Sequence, residues 1–199
     1  ADKANHVIRK ITPAGVVTTI AGFAGSTGIV NAVGQVARFN NPAAVAVDSS
    51  GNVYVADTGN GLIRKISSSG VVTTLAGRGT ASLTQVEGIA VDGAGNVYAS
   101  SPTSNTILKI TPAGAVSTMA GDYTAHDLTD GTGTAAHFSN PKGVAVDTAG
   151  NVYVADTNNS AIRKITPAGV VTTVLANLQS VSNIAVDAAG NLYVTDHKF

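Results

Sequence analysis

The chain has 199 residues, 44% of them hydrophobic and only 12% charged, and its twelve basic and twelve acidic side chains cancel. That balance excludes intrinsic disorder, and no apolar run reaches the roughly 20 residues of a membrane-spanning helix. Without a clustered positive excess to neutralise phosphates or an anionic lipid surface, neither a nucleic-acid nor a membrane partner is expected.

Cysteine is absent, which removes disulfides, thiolate metal sites and cysteine nucleophiles together. The opening Ala1-Asp2-Lys3 has no initiator Met and no apolar leader core, and reads as a processed or excised product. Twenty-two Gly and few aromatics point to many tight turns.

In chain order, the first unit is Ile8-Arg9-Lys10-Ile11-Thr12-Pro13-Ala14-Gly15-Val16-Val17-Thr18-Thr19, and it recurs from Ile63, Ile107 and Ile162. Pro13 presets φ and Gly15 closes the turn between two β-rich runs. A second unit, Val45-Ala46-Val47-Asp48-Ser49-Ser50-Gly51-Asn52-Val53-Tyr54-Val55-Ala56-Asp57, recurs from Ile89, Val144 and Ile184. Here Asp48 can cap the turn and Gly51 can take the positive φ of a short hairpin. The two units alternate strictly, so each repeat supplies four antiparallel strands, and helical periodicity is absent. Four short strands per 44 or 55 residues is the arithmetic of a β-propeller blade. A sandwich or β-helix accounts less well for two distinct hairpins per repeat.

Successive starts of the first unit lie 55, 44 and 55 residues apart, so a 99-residue period overlies the shorter one. The long inserts 22–44 and 121–143 are equal in length and end alike, Ala37 to Pro42 matching Ala136 to Pro141.

These residues resemble the NHL-repeat family of β-propellers, particularly its bacterial members. The Val-Ala-Val-Asp-x-x-Gly-Asn-Val-Tyr-Val-Ala-Asp stretch, Asn159, Ile162-Arg163-Lys164-Ile165 and Asp130-Gly131-Thr132-Gly133 carry the likeness. The expected fold is an all-β propeller of four NHL-type blades. Whole blades are expected at 45–77, 89–121 and 144–176. The fourth is expected to be split between the hairpins 7–21 and 184–195, which could close within one chain, close between copies as a homo-oligomer, or belong to a longer array.

The four copies also align with one another. Asp2 and Arg9, Asp57 and Arg64, and Asp156 and Arg163 are each seven residues apart, whereas the remaining copy has Ser101 and Leu108. Joint loss of both charges points to three structural ion pairs, because one charge left alone in a buried seam costs more than removing both.

The variable loops and long inserts share one rim, which marks it as the expected recognition face. The candidate binding residues there are Arg38, Asn60, Tyr123, His126, Asp127, Asp130, His137 and Asn158. Asp122 to Asp130 holds enough carboxylates for a divalent ion, but its spacing fits neither an EF-hand nor a zinc motif. His6 and His197 lie near the chain ends, and Glu87 is the only glutamate. Propeller lyases and lactonases of similar fold hold a central metal, and no matching set of His or Glu occurs here. No catalytic residue, metal or cofactor is expected. The reading is a non-catalytic module, secreted or at the cell surface, that binds a protein or glycan through the loop rim. The alternatives are a metal-dependent propeller lyase or lactonase, and an excised or engineered self-assembling fragment without activity of its own.

Overall fold

The computed structural model describes residues 1–77, 79, 83 and 85–196. It is all β apart from short 3-10 turns, and it divides into two compact units, Ala1–Val86 and Glu87–Phe199.

Unit 1 begins with the hairpin β1 (Ile8–Ile11) and β2 (Val17–Ala21), a two-stranded sheet. A four-stranded antiparallel blade follows, in the order β3 (Pro42–Val47), β4 (Val53–Asp57), β5 (Leu62–Ile66) and β6 (Val72–Ala76). Its core joins Ile8 and Ala21 of the hairpin to Val55, Ile66 and Val72 of the blade, with Phe39 of the long insert wedged among them.

Unit 2 holds a blade of β7 (Ile89–Val91), β8 (Val97–Ser101), β9 (Thr106–Ile110) and β10 (Val116–Ala120). The next sheet has five strands, because β11 (Gly131–Thr132) of the second insert pairs with β15. Its other members are β12 (Pro141–Val146), β13 (Val152–Asp156), β14 (Ala161–Ile165) and β15 (Val170–Leu175). The hairpin β16 (Val181–Val186) and β17 (Leu192–Asp196) is again two-stranded.

The second unit of the sequence repeat makes the same turn each time. Asp48 Oδ1 accepts the backbone N–H of Ser50 and Asn52 at 3.0 and 2.8 Å, and Oδ2 accepts Asn52 Nδ2 and the Tyr54 hydroxyl at 2.8 and 3.2 Å. Asp92, Asp147 and Asp187 repeat the pattern, the last with Asn191 and Tyr193. Gly51 sits at φ 79°, where a Cβ would be strained. Partial burial pushes the Asp92 carboxyl up, but the bonds from Asn96, Tyr98 and Ala94 outweigh it and hold the group below its ordinary value. Burial and the Asp92 carboxylate together drive the Tyr98 hydroxyl up to about 12, so it remains a donor.

Blades stack by one rule within unit 2. Ala90 and Tyr98 of one blade bury Val144 and Val146 of the next, and Ala145 and Tyr153 bury Ile184 and Val186 in turn. Small Ala beside a flat Tyr ring leaves room for two β-branched side chains, which gives a close apolar seam.

Candidate functional site

Each long insert is tied to its blade by a buried arginine. In unit 1, Arg64 extends from β5 with no exposed surface, and its Nη1 donates to Asp57 Oδ2 at 3.0 Å and to the Arg38 carbonyl at 3.1 Å. Nη2 donates to the Val30 carbonyl at 3.1 Å and to Asn31 Oδ1 at 2.7 Å. The guanidinium lies 5.2 Å over the Phe39 ring. Asp57 Oδ1 accepts the Asn40 N–H at 2.7 Å, while Asn60 Nδ2 bridges Asp57 Oδ2 and the Gly28 carbonyl.

Unit 2 repeats the design. Arg163 donates to Asp156 Oδ2 at 3.0 Å, to the His137 and Thr129 carbonyls, and to Asp130 Oδ1 at 2.8 Å. It lies 5.0 Å over Phe138, and Asn159 bridges Asp156 and the Asp127 carbonyl. The Nε of both arginines is buried without a hydrogen-bond partner. A flat ring face lets the guanidinium stay charged there without further acceptors.

Burial raises the Asp57 and Asp156 carboxyls above the ordinary range, in spite of the hydrogen bonds and the paired arginine that pull them down. Where the repeat has Ser101 and Leu108, the connection that precedes the blade is short. The two buried pairs, Asp57–Arg64 and Asp156–Arg163, thus each accompany a long insert. The third expected pair needs correction: Arg9 is exposed and forms no ion pair with Asp2, whose carboxylate instead receives Asn5 Nδ2 at 3.0 and 3.1 Å. No insert folds over Arg9 among the described residues, so nothing excludes water from it.

The expected rim residues divide into two groups. Arg38, Asn60 and Asp130 have their polar groups engaged within the fold, although Asp130 keeps half of its side chain exposed. Arg38 Nη1 turns back on the carbonyls of Gln35, Val36 and Ala37 at 2.7 to 2.9 Å, and the guanidinium stacks 4.7 Å over Phe23. Asp130 is held by Arg163 and by Thr173, whose backbone N–H and hydroxyl both donate to it. Burial would raise its carboxyl, but those bonds lower it overall.

The others lie in unit 2, where two hydrogen-bonded groups involve them. Asn105 Nδ2 lies 2.6 Å from His126 Nδ1, and Asn105 Oδ1 accepts the Asn140 N–H at 2.9 Å. Asn140 Nδ2 in turn donates to Asn158 Oδ1 at 3.2 Å. His137 Nδ1 lies 2.5 Å from Asp127 Oδ1, and this contact holds the Asp127 carboxyl below its ordinary value. Tyr123, 69% exposed, stands in the same insert.

Among the described residues no three His, Asp or Glu side chains stand close enough to hold a metal together. His197 lies outside them. Sequence reasoning missed Asn31, Asn105, Asn140 and the two phenylalanines. The 99-residue period was the available signal, since it sets Asn31 against Asp130 and Gly28 against Asp127.

A family model for the teneurin NHL domain matches residues 125–199, and one for the NHL repeat matches residues 39–66. A search of characterised proteins finds no match. Among solved structures, a protein of unknown function from Bacteroides thetaiotaomicron is similar at a TM-score of 0.72 and 21% identity, covering 96% of this chain and 51% of its own. Virginiamycin B lyase from Staphylococcus aureus aligns at 0.70 and 15%, covering 98% and 57%. An auxiliary nutrient binding protein from Bacteroides thetaiotaomicron aligns at 0.68 and 15%, covering 97% and 62%. The chain thus spans between half and two thirds of the length of these propellers, and at such identities the likeness is one of fold. Among the described residues no helix is long and apolar enough to cross a membrane.

Proposed function

The chain is an NHL-repeat β-propeller protein, and from that premise we propose that it is a non-catalytic binding module which takes a glycan on the rim formed by the 121–143 insert. The reading rests on one observation: the 121–143 insert that carries exposed Tyr123 also takes part in the hydrogen-bonded chain His126–Asn105–Asn140–Asn158 and carries the pair Asp127–His137. An aromatic face packs against the C–H side of a sugar ring, and paired donors and acceptors at fixed spacing serve its hydroxyls. A protein ligand fits less well, since the array offers little contiguous apolar surface for an interface core. A module of this kind works outside the cell or at its surface, where glycans are met. The nutrient-binding relative has the same fold.

The test is a glycan microarray followed by titration of the best oligosaccharide. Tyr123→Ala should weaken binding about tenfold, which corresponds to about 1.4 kcal/mol, and Asn158→Ala should weaken it less. One solved relative is a lyase, so the chain is also assayed for turnover of virginiamycin B and of simple lactones. Turnover, or glycan binding indifferent to Tyr123→Ala, overturns the proposal.

A further inference from the structure

We propose that the β16–β17 hairpin of one copy of this chain docks on unit 1 of a second copy, where β17 adds to the free edge of β1 and the hairpin covers Val45 and Val47 of β3. The three sheets of four or five strands carry the template. In each, the blade's second and third strands pair in one register, with Tyr54 opposite Lys65, Tyr98 opposite Lys109 and Tyr153 opposite Lys164. The ammonium groups lie 5.3, 5.8 and 5.8 Å from the ring centroids.

By position in the repeat, β17 is a second strand and β1 a third, which places Tyr193 opposite Lys10 and Val194 opposite Arg9. Yet each hairpin is a two-stranded sheet, and Tyr193 is 60% exposed where Tyr54, Tyr98 and Tyr153 are 3 to 8% exposed.

The stacking seam points the same way and is an independent observation. An Ala–Tyr face of one blade covers a pair of β-branched residues on the first strand of the next. Val45 and Val47 hold that position on β3, yet they are 38% and 61% exposed and line a groove with Ile8, Lys10, Ile20 and Ile66. The uncovered Ala–Tyr face is Ala185 and Tyr193. Each open surface is the complement of the other.

Charge agrees. Arg9 and Asp196 stand where Arg64 and Asp57 form their ion pair, and Asp196 already accepts the Ser180 N–H at 2.8 Å, as Asp57 accepts that of Asn40. Asp2 holds the same place against Val7 through two backbone hydrogen bonds, so the incoming strand displaces Ala1 and Asp2. Val45, Val47 and Tyr193 are each exposed, and a second copy of this chain supplies to each the surface it lacks. The exchange is reciprocal, as a two-fold axis requires. Unpaired strand edges favour such addition.

The test is sedimentation of the 199-residue chain with two kinds of variant. The expected mass is twice the 19.8 kDa of one chain. Val47→Asp, at an exposed position, should return the mass to that of one chain without loss of β circular dichroism. Since the chain has no cysteine, an Arg9→Cys copy mixed with a Val194→Cys copy should form a disulfide between chains on mild oxidation. A single-chain mass overturns the proposal, and so does a disulfide formed only within the doubly substituted chain. A double mass indifferent to Val47→Asp, or no cross-link in the mixture, overturns it as well.

Discussion

Arg163 and Asp156 meet at 3.0 Å with neither side chain exposed, and Arg64 and Asp57 repeat that contact 99 residues earlier. Removing two charges from water costs several kcal/mol per ion, and their attraction offsets this only when the remaining hydrogen bonds are made. Here the guanidinium also binds two insert carbonyls and the face of a phenylalanine. The pair is thus the clamp by which a short blade holds a long insert.

Breaking the clamp on one side should therefore cost more than removing it whole. Arg64→Leu leaves Asp57 buried and charged, and should destabilise unit 1 by about 3 to 5 kcal/mol. Asp57→Ser with Arg64→Leu copies the residues found at Ser101 and Leu108 and should recover at least about 1 kcal/mol of that loss. Urea unfolding followed by circular dichroism measures both. Equal losses in the two variants would show that the charges are not coupled.

The turn aspartates give stability a pH dependence of definite sign. Hydrogen bonds, outweighing partial burial, depress the Asp92 and Asp147 carboxyls in the folded state. Below their unfolded value of about 3.9 the unfolded chain binds more protons than the native one, so their stabilisation is complete above that pH and is lost as pH falls through the folded value. Asp57 and Asp156 are raised and act oppositely, subtracting stability as pH rises from the unfolded to the folded value. Asp92→Asn should cost about 1 kcal/mol at pH 7 and flatten the fall in melting temperature between pH 5 and pH 3. Melts of both proteins across that range are the measurement, and parallel curves would refute the assignment.

Glycine positions separate close packing from mere turn chemistry. A Cβ on Gly143 would stand 2.6 Å from Asn183 Cα and 2.9 Å from the Ile184 nitrogen, backbone that cannot move without opening the seam with β16. Gly143→Ala should destabilise by about 1 to 3 kcal/mol. At Gly93 a Cβ meets nothing within 4 Å and φ is not positive, so Gly93→Ala should be neutral or stabilise by up to about 1 kcal/mol. Thermal melts of the two variants side by side decide the matter, and a tolerated Gly143→Ala would mean that the seam is looser than the packing implies.

Much was legible before any coordinates, because the interactions concerned are short in sequence. The four hairpin turns follow from an Asp, a Gly and an Asn within five residues, and Asp57–Arg64 spans a single second-to-third-strand connection. Four copies made those local rules visible by repetition. The rim was only half legible. Arg38, Asn60 and Asp130 have the chemistry of ligand-binding side chains, and nothing nearby in the sequence shows that backbone carbonyls, Gly28 and Arg163 already occupy them.

By itself the sequence determined the strands, their turns, the all-β class and the pairing of each buried aspartate with its arginine, since hairpin geometry depends on residues only a few positions apart. Tertiary structure alone decided which polar groups remain free to meet a ligand and which of Tyr54, Tyr98, Tyr153 and Tyr193 are covered. Tyr98 and Tyr153 are covered because the following blade packs on each ring, with Val144 and Ile184 among the residues of the seam, and that blade comes from a distant part of the chain.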